Sequence, residues 1–221
     1  MTTRRFPVTG ILFDCDGVLV DSLEPAAIAW DAWAARYSPG YDFRSQIEHG
    51  VRAADTVARL VASDVFDEAV AALEDEEVLG SAATLPIPGA VELTTSIPLG
   101  RWAVATSAAR RLALARLSAA GHPSPSALIA ADDVAHGKPH PEPYLRGAEA
   151  LGVPASACAV FEDAPAGVRA ARAAGAGLVV GVGDHLEGEV VDVHVDDLTS
   201  VSYEDGALLI RPADASAGTA A

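Results

Sequence analysis

The sequence is short of positive charge, with only 15 Lys and Arg against 31 Asp and Glu and a formal charge of −16. Binding to a phosphodiester backbone or an anionic lipid surface needs clustered cations, and here they are few and scattered, which excludes nucleic acid and membrane as partners. Long apolar runs are missing too. Half of the 221 residues are hydrophobic, yet nowhere is there the uninterrupted stretch of roughly 18 to 20 that a bilayer crossing requires. The first ten residues, MTTRRFPVTG, hold two arginines but neither an apolar stretch nor a small-residue cleavage site. This predicts no secretory leader and a cytoplasmic location. Only two cysteines occur, Cys15 and Cys158, each in an apolar run and far apart. That is the pattern of small core residues in a reducing compartment, and it excludes a disulfide framework. The negative charge would also repel a phosphorylated substrate at long range. A site for such an anion must reverse the field locally, and a bound divalent metal is the obvious means.

What is present is a regular alternation. Short apolar runs at 8–13, 102–105, 127–130, 157–161 and 177–182 read as buried strands. Between them lie helix-forming amphipathic stretches such as 109–120 and 164–174, the latter followed by Gly175 as a C-cap. Strand–helix alternation predicts an α/β fold, a parallel sheet covered by helices on both faces, with functional groups at the carboxyl ends of the strands. One region breaks the rhythm. From about 22 to 85 there is no strand signal, only helical segments rich in Ala, Glu, Asp and Arg, closed by Leu85-Pro86-Ile87-Pro88-Gly89. The division predicted is a discontinuous core of residues 1–20 and 87–211 and an inserted helical unit of residues 21–86, hinged over the sheet edge. Residues 203–210 carry Asp205-Gly206 between apolar residues and read as a hairpin. The tail, 212–221, is Ala, Ser, Gly and Pro with little else and reads as disordered.

The chemistry concentrates at strand ends. In Phe13-Asp14-Cys15-Asp16-Gly17 a buried strand runs into two carboxylates one residue apart, and Gly17 opens the turn so that both can reach one polar pocket. Thr106-Ser107 follows the strand at 102–105 and offers hydroxyls and backbone N–H groups to phosphate oxygens. Lys138 sits in Gly137-Lys138-Pro139-His140-Pro141-Glu142-Pro143, a cation on a proline-stiffened loop. Glu162-Asp163 follows the strand at 157–161 and adds two more acids, with Pro165 opening the next helix. Four carboxylates in one cleft need a counter-charge, and an all-oxygen donor set suits Mg²⁺. Acid pair, hydroxyl, lysine, acid pair is a coherent site for phosphoryl transfer.

These residues resemble the four motifs of the haloacid-dehalogenase-like hydrolase superfamily, and the insertion after the first motif resembles the helical cap of its subfamily I. The resemblance covers nearly the whole chain and implies a Rossmann-like core with a mobile cap. The strings Trp102-Ala-Val-Ala-Thr-Ser-Ala108, Gly137-Lys-Pro-His-Pro-Glu-Pro-Tyr-Leu145 and Val160-Phe-Glu-Asp-Ala-Pro-Ala-Gly-Val168 are similar to the glycerol-phosphate and 2-deoxyglucose-6-phosphate phosphatases. The roles this implies are Asp14 as nucleophile and metal ligand, and Asp16 as general acid and base whose main-chain carbonyl also ligates Mg²⁺. Asp163 is the other direct ligand, with Glu162 ligating or holding one of the ion's waters. Thr106 and Lys138, with Ser107, bind the transferring phosphoryl group. In the insertion, His49-Gly50-Val51-Arg52 resembles a substrate-facing segment, which makes His49 and Arg52 substrate contacts. The implied activity is hydrolysis of a small sugar or polyol phosphate through an aspartyl phosphate. A monomer is expected. The alternative is a β-phosphoglucomutase-like mutase. Members of that branch usually carry a histidine where this chain has Ala26, so net hydrolysis is favoured.

Overall fold

The computed structural model describes residues 2–186 and 188–212, so most of the tail expected to be disordered lies outside the described residues. In chain order the elements are β1 (Arg4–Pro7), β2 (Gly10–Phe13), β3 (Val20–Asp21), α1 (Leu23–Tyr37), α2 (Phe43–Gln46), α3 (Ala53–Leu60), α4 (Phe66–Gly80), β4 (Leu85–Pro86) and α5 (Ala90–Ser96). There follow β5 (Trp102–Ala105), α6 (Arg110–Ala119), β6 (Leu128–Ile129), α7 (Glu142–Ala150), β7 (Cys158–Glu162) and α8 (Pro165–Ala173). The chain closes with β8 (Leu178–Val182), β9 (Val193–Val195), β10 (Val201–Glu204) and β11 (Ala207–Ile210). Among the described residues no helix is long and apolar enough to cross a membrane.

The five expected strands assemble in parallel, joined at one edge by the unexpected β9, in the order β6-β5-β2-β7-β8-β9. Because β2, β5, β7 and β8 are buried throughout, their sequences are continuous apolar runs, as a sheet covered on both faces requires. Side-chain alternation divides the core in two. Ile11 and Phe13 pack with Trp102, Val104 and Phe161 on one face, while Leu12 packs with Ala103, Val160 and Tyr144 on the other. Cys15 and Cys158 fall in these separate clusters, both buried and free, in keeping with their reading as core residues. The hairpin read at 203–210 is present as β10 and β11, and β1 pairs with β11 to complete a three-stranded sheet beside the core.

The helices α1 to α4 gather around a cluster of their own, centred on Trp30, Trp33, Phe43 and Leu73. Trp33 is fully enclosed yet satisfied, since its indole N–H donates to the Ala69 carbonyl at 2.8 Å. Where the chain leaves and re-enters the sheet region, Val20–Asp21 pairs antiparallel with Leu85–Pro86. This two-stranded ladder ties together the segments expected to act as hinges.

Four further elements, β1, β9, α5 and α7, went unread. The helix α7 begins in the proline-rich stretch, where Pro141 and Pro143 suggest loop. A proline in the first turn costs nothing, because those N–H groups have no intrahelical partner. β1, β9 and α5 are too short for periodicity to separate from loop.

Candidate active site

The order β5-β2-β7 brings three strand ends side by side. Asp14 follows β2, Thr106 follows β5, and Glu162 closes β7 with Asp163 next. Asp14 is locked in register by its own N–H, which donates to Phe161 O at 3.0 Å. The turn beyond it depends on Gly17, whose φ is +77°. A Cβ there would lie 2.0 Å from Asp163 Oδ2, so only glycine lets the two acid motifs approach. Gly167 does the same for Glu162, because a Cβ at that position would fall 1.7 Å from Glu162 Oε1.

Lys138 is the only lysine in the chain. Its side chain is 0% exposed, and Nζ lies 2.9 Å from Asp14 Oδ1 and 2.6 Å from Glu162 Oε1. Glu162 is bound on both oxygens. Oε1 accepts from Lys138 and from the Tyr144 hydroxyl, and Oε2 accepts from the N–H groups of Asp163 at 3.1 Å and Ala164 at 3.2 Å. Asp14 is bound on one oxygen only: Oδ1 accepts from Cys15 N–H at 2.7 Å and faces Lys138, whereas Oδ2 carries no hydrogen bond to a described residue. Thr106, 2% exposed, is fixed by its N–H to Ile129 O and by its hydroxyl, which accepts from Ala108 N–H.

The electrostatics of this group are unbalanced. Burial pushes the Asp14 carboxyl up to about 7, against the downward pull of Lys138 and with further upward pressure from Glu162 and Asp16. Burial, followed by Glu162 and Asp14, raises Asp163 well above the ordinary carboxylate range. One cation is not enough for these acids. Ligand oxygens of Asp14, Glu162 and Asp163 lie within 4.8 Å of one another, a hard-oxygen donor set with surplus negative charge. Those residues fit a divalent cation on the chemistry of their donors alone.

Above the strand ends opens a cavity of about 630 Å³, bounded by Asp14, Asp16, Thr106 and Asp163 on the sheet side and by Trp30 and Phe43 on the helical side. His49 and Arg52 also line it, but their contacts run sideways. Arg52 pairs with Asp55 at 2.8 Å and donates to the carbonyls of Val134 and Ala135, at the approach to the Lys138 loop. His49 stacks on His185, ring centroids 5.5 Å apart, in the loop after β8. Ser107 donates to Gly50 O at 2.7 Å. Each of these three side chains therefore joins the insertion to the sheet edge, in addition to facing the cavity.

Other residues of the site were given no role from the sequence. Ser22 donates to Asp16 Oδ1 at 2.5 Å, and Arg116 on α6 donates to the same oxygen at 2.9 Å. Tyr144 was hidden in the unread α7. Ser22 alone had a usable cue, since it closes the Asp14 motif and precedes a helix.

Comparison with known proteins agrees with this geometry. The family model described as haloacid dehalogenase-like hydrolase matches residues 8–175. Glycerol-1-phosphate phosphohydrolase 2 of Saccharomyces cerevisiae is 38% identical over 194 residues, 81% of this chain and 77% of its own length. Hexitol phosphatase A of Escherichia coli is 37% identical over 172 residues, 75% and 79% of the two chains. Among solved structures, CbbY from Rhodobacter sphaeroides in complex with phosphate superposes with a TM-score of 0.76 at 25% identity, covering 86% of this chain and 95% of that one.

Proposed function

The chain belongs to the haloacid dehalogenase-like hydrolases, and from that premise we propose that it is a Mg²⁺-dependent phosphatase of small sugar or polyol phosphates working through an aspartyl phosphate on Asp14. The observation that carries this reading is the one-sided binding of Asp14: Oδ1 is held by Cys15 N–H and Lys138, while Oδ2, in the cavity wall, has no partner among the described residues. An immobilised carboxylate with one free oxygen beside a buried cation is a positioned nucleophile. The named activities of the two curated relatives, on glycerol 1-phosphate and on hexitol phosphates, support the substrate class.

In this reading Asp14 Oδ2 attacks phosphorus, and the bond to the leaving alcohol breaks. Asp16, two residues on, gives that alcohol its proton and then takes one from the water that cleaves the phosphoenzyme. Lys138 and Thr106 hold the phosphoryl oxygens where charge builds up. Asp14 and Asp163, with the Asp16 carbonyl, would hold Mg²⁺, which when bound neutralises the phosphate and shields the crowded acids. Glu162, whose oxygens already accept from Lys138, Tyr144 and two backbone N–H groups, orients Lys138 beside the ion's site. Residues 21–86 act as a cap, and the contacts of His49, Arg52 and Ser107 serve its closure. Ala26, with no basic side chain for retaining an intermediate, favours transfer to water over a mutase cycle.

Two outcomes are expected. Purified protein should release phosphate from glycerol phosphates and hexitol phosphates with Mg²⁺ and not with EDTA. Conversion of β-glucose 1-phosphate to the 6-phosphate, dependent on a bisphosphate primer and without net release, would instead establish the mutase. The second concerns stability. Because the folded-state pKa of Asp14 is raised, from 3.8 to about 7, its contribution is fully present below 3.8 and lost as pH rises through about 7. Metal-free protein should therefore melt at a lower temperature at pH 8 than at pH 6. Saturating Mg²⁺ should remove most of that difference, read by thermal melts in EDTA and in Mg²⁺.

A further inference from the structure

We propose that Arg116 is a positioning residue that anchors the general acid Asp16 and ties its placement to the docking of the helical insertion. The proposal rests on the phosphatase reading above, in which Asp16 handles the proton of the leaving alcohol.

Arg116 lies on the buried side of α6 and is only 4% exposed. Its guanidinium forks between two carboxylates that belong to different parts of the chain. NH1 donates to Asp16 Oδ1 at 2.9 Å, and NH2 donates to Glu77 Oε1 at 3.0 Å on α4, where Glu77 is itself 8% exposed. Asp16 Oδ1 receives a second donor, the hydroxyl of Ser22 at the start of α1. One oxygen of Asp16 is thus pinned from two sides, while Oδ2 has no hydrogen bond to a described residue, and Asp16 shares the cavity wall with Asp14.

A purely structural role explains this arrangement poorly. The same α4–α6 contact is already bridged at its exposed edge, where Arg111 pairs with Glu74 and Asp75. A buried cation costs desolvation that such an edge pair avoids. Arg116 also keeps a buried Nε with no partner among the described residues, so its placement is not optimised for bonding alone. What the buried fork adds is a fixed rotamer for Asp16. The rigid, planar guanidinium suits this, since its fork holds two carboxylates at a set separation, whereas a lysine is a single point charge on a flexible stem.

The chemistry assisted is a single proton transfer. As Asp14 Oδ2 bonds to phosphorus and the P–O bond to the alcohol breaks, the alcohol oxygen takes its proton from Asp16, which is left as a carboxylate between Ser22 and Arg116. Because Glu77 belongs to the insertion, the anchor is complete only while α4 is docked on α6.

The test compares kcat/KM for glycerol phosphate and for p-nitrophenyl phosphate, with Mg²⁺, in the wild type and in Arg116→Met/Glu77→Gln. The double change leaves no orphaned buried acid, and melting temperatures are recorded alongside. For a covalent mechanism kcat/KM reports the steps up to alcohol release, the half-reaction in which Asp16 is the acid. p-Nitrophenolate leaves without a proton and glycerol does not. The expected result is a loss on the order of 10²-fold with glycerol phosphate, at similar KM, and of less than about threefold with the aryl ester. Arg116→Lys should recover part of the glycerol phosphate loss. Equal losses on both esters, or none on either, would overturn the role of Arg116 while leaving the phosphatase intact. A wild type inactive on both esters would overturn the phosphatase reading, and this proposal with it.

Discussion

Replacing Asp14 by Asn is expected to lower phosphate release by about 10⁴-fold or more, the scale seen when a covalent nucleophile is removed, without loss of the fold. The side chain keeps its shape, and its oxygen can still accept from Cys15 N–H and Lys138, as Oδ1 does now. What disappears is the carboxylate oxygen proposed to attack phosphorus. The change also removes a charge that burial disfavours, since the Asp14 carboxyl is pushed up to about 7. The metal-free Asp14→Asn variant should accordingly melt no lower than the wild type at pH 8. Single-turnover phosphate release together with thermal melts checks both halves. Substantial turnover by a folded variant would remove Asp14 from the nucleophile's role.

Lys138→Met is expected to harm both stability and rate. Its ammonium is the direct ion-pair partner of Asp14 and Glu162, and it lies 5.0 Å from the centre of the Tyr144 ring. Without it Glu162, at 0% exposure, stays buried with no cation beside it. Leaving one side of a buried ion pair costs about 3 to 5 kcal/mol, which for a chain of this size lowers Tm by roughly 10 °C. The sign of the pH dependence follows. The pull that Lys138 exerts on Asp14 is downward, so its loss raises the folded-state carboxylate pKa further. The variant should regain stability as pH falls and lose it as pH rises past neutrality. Urea melts at pH 5 and pH 8 test this, and an unchanged midpoint would contradict the paired role of Lys138. Turnover should fall by about 10² to 10³-fold, because the preplaced cation proposed to hold the phosphoryl oxygens is gone.

How far the molecule could be read in advance depended on whether the cause was local. β2, β5, β7 and β8 were legible because a parallel strand buried on both faces must be apolar throughout. That same rule places the acids that follow β2 and β7 at one edge. The grouping of Asp14, Thr106, Lys138 and Asp163 could be anticipated for that reason. The partners of these groups could not. Lys138 and Glu162 are 24 residues apart, and Arg116 meets Asp16 across 100 residues, so no periodicity links them. Arg116 looked like one of several cations on an amphipathic helix, and only the packing of α4 against α6 turns it inward. Ser107, His49 and Arg52 point to the same limit. The hydroxyl of Ser107, and for His49 and Arg52 the resemblance of their segment, suggested substrate contacts, while each also makes a contact that joins the insertion to the sheet edge. One signal was available from counting alone: Lys138, set between Gly137 and Pro139, is the single lysine of the chain.

The central claim is the covalent intermediate, and the most direct measurement is to trap it. Protein turning over glycerol phosphate with Mg²⁺ is quenched, reduced with borohydride and digested, and the peptide carrying residues 8–16 is sequenced by mass spectrometry. An aspartyl phosphate is an acyl phosphate, which borohydride reduces to an alcohol, so position 14 should read as homoserine only when substrate was present. Homoserine at another acid, or none during demonstrable turnover, would contradict attack by Asp14.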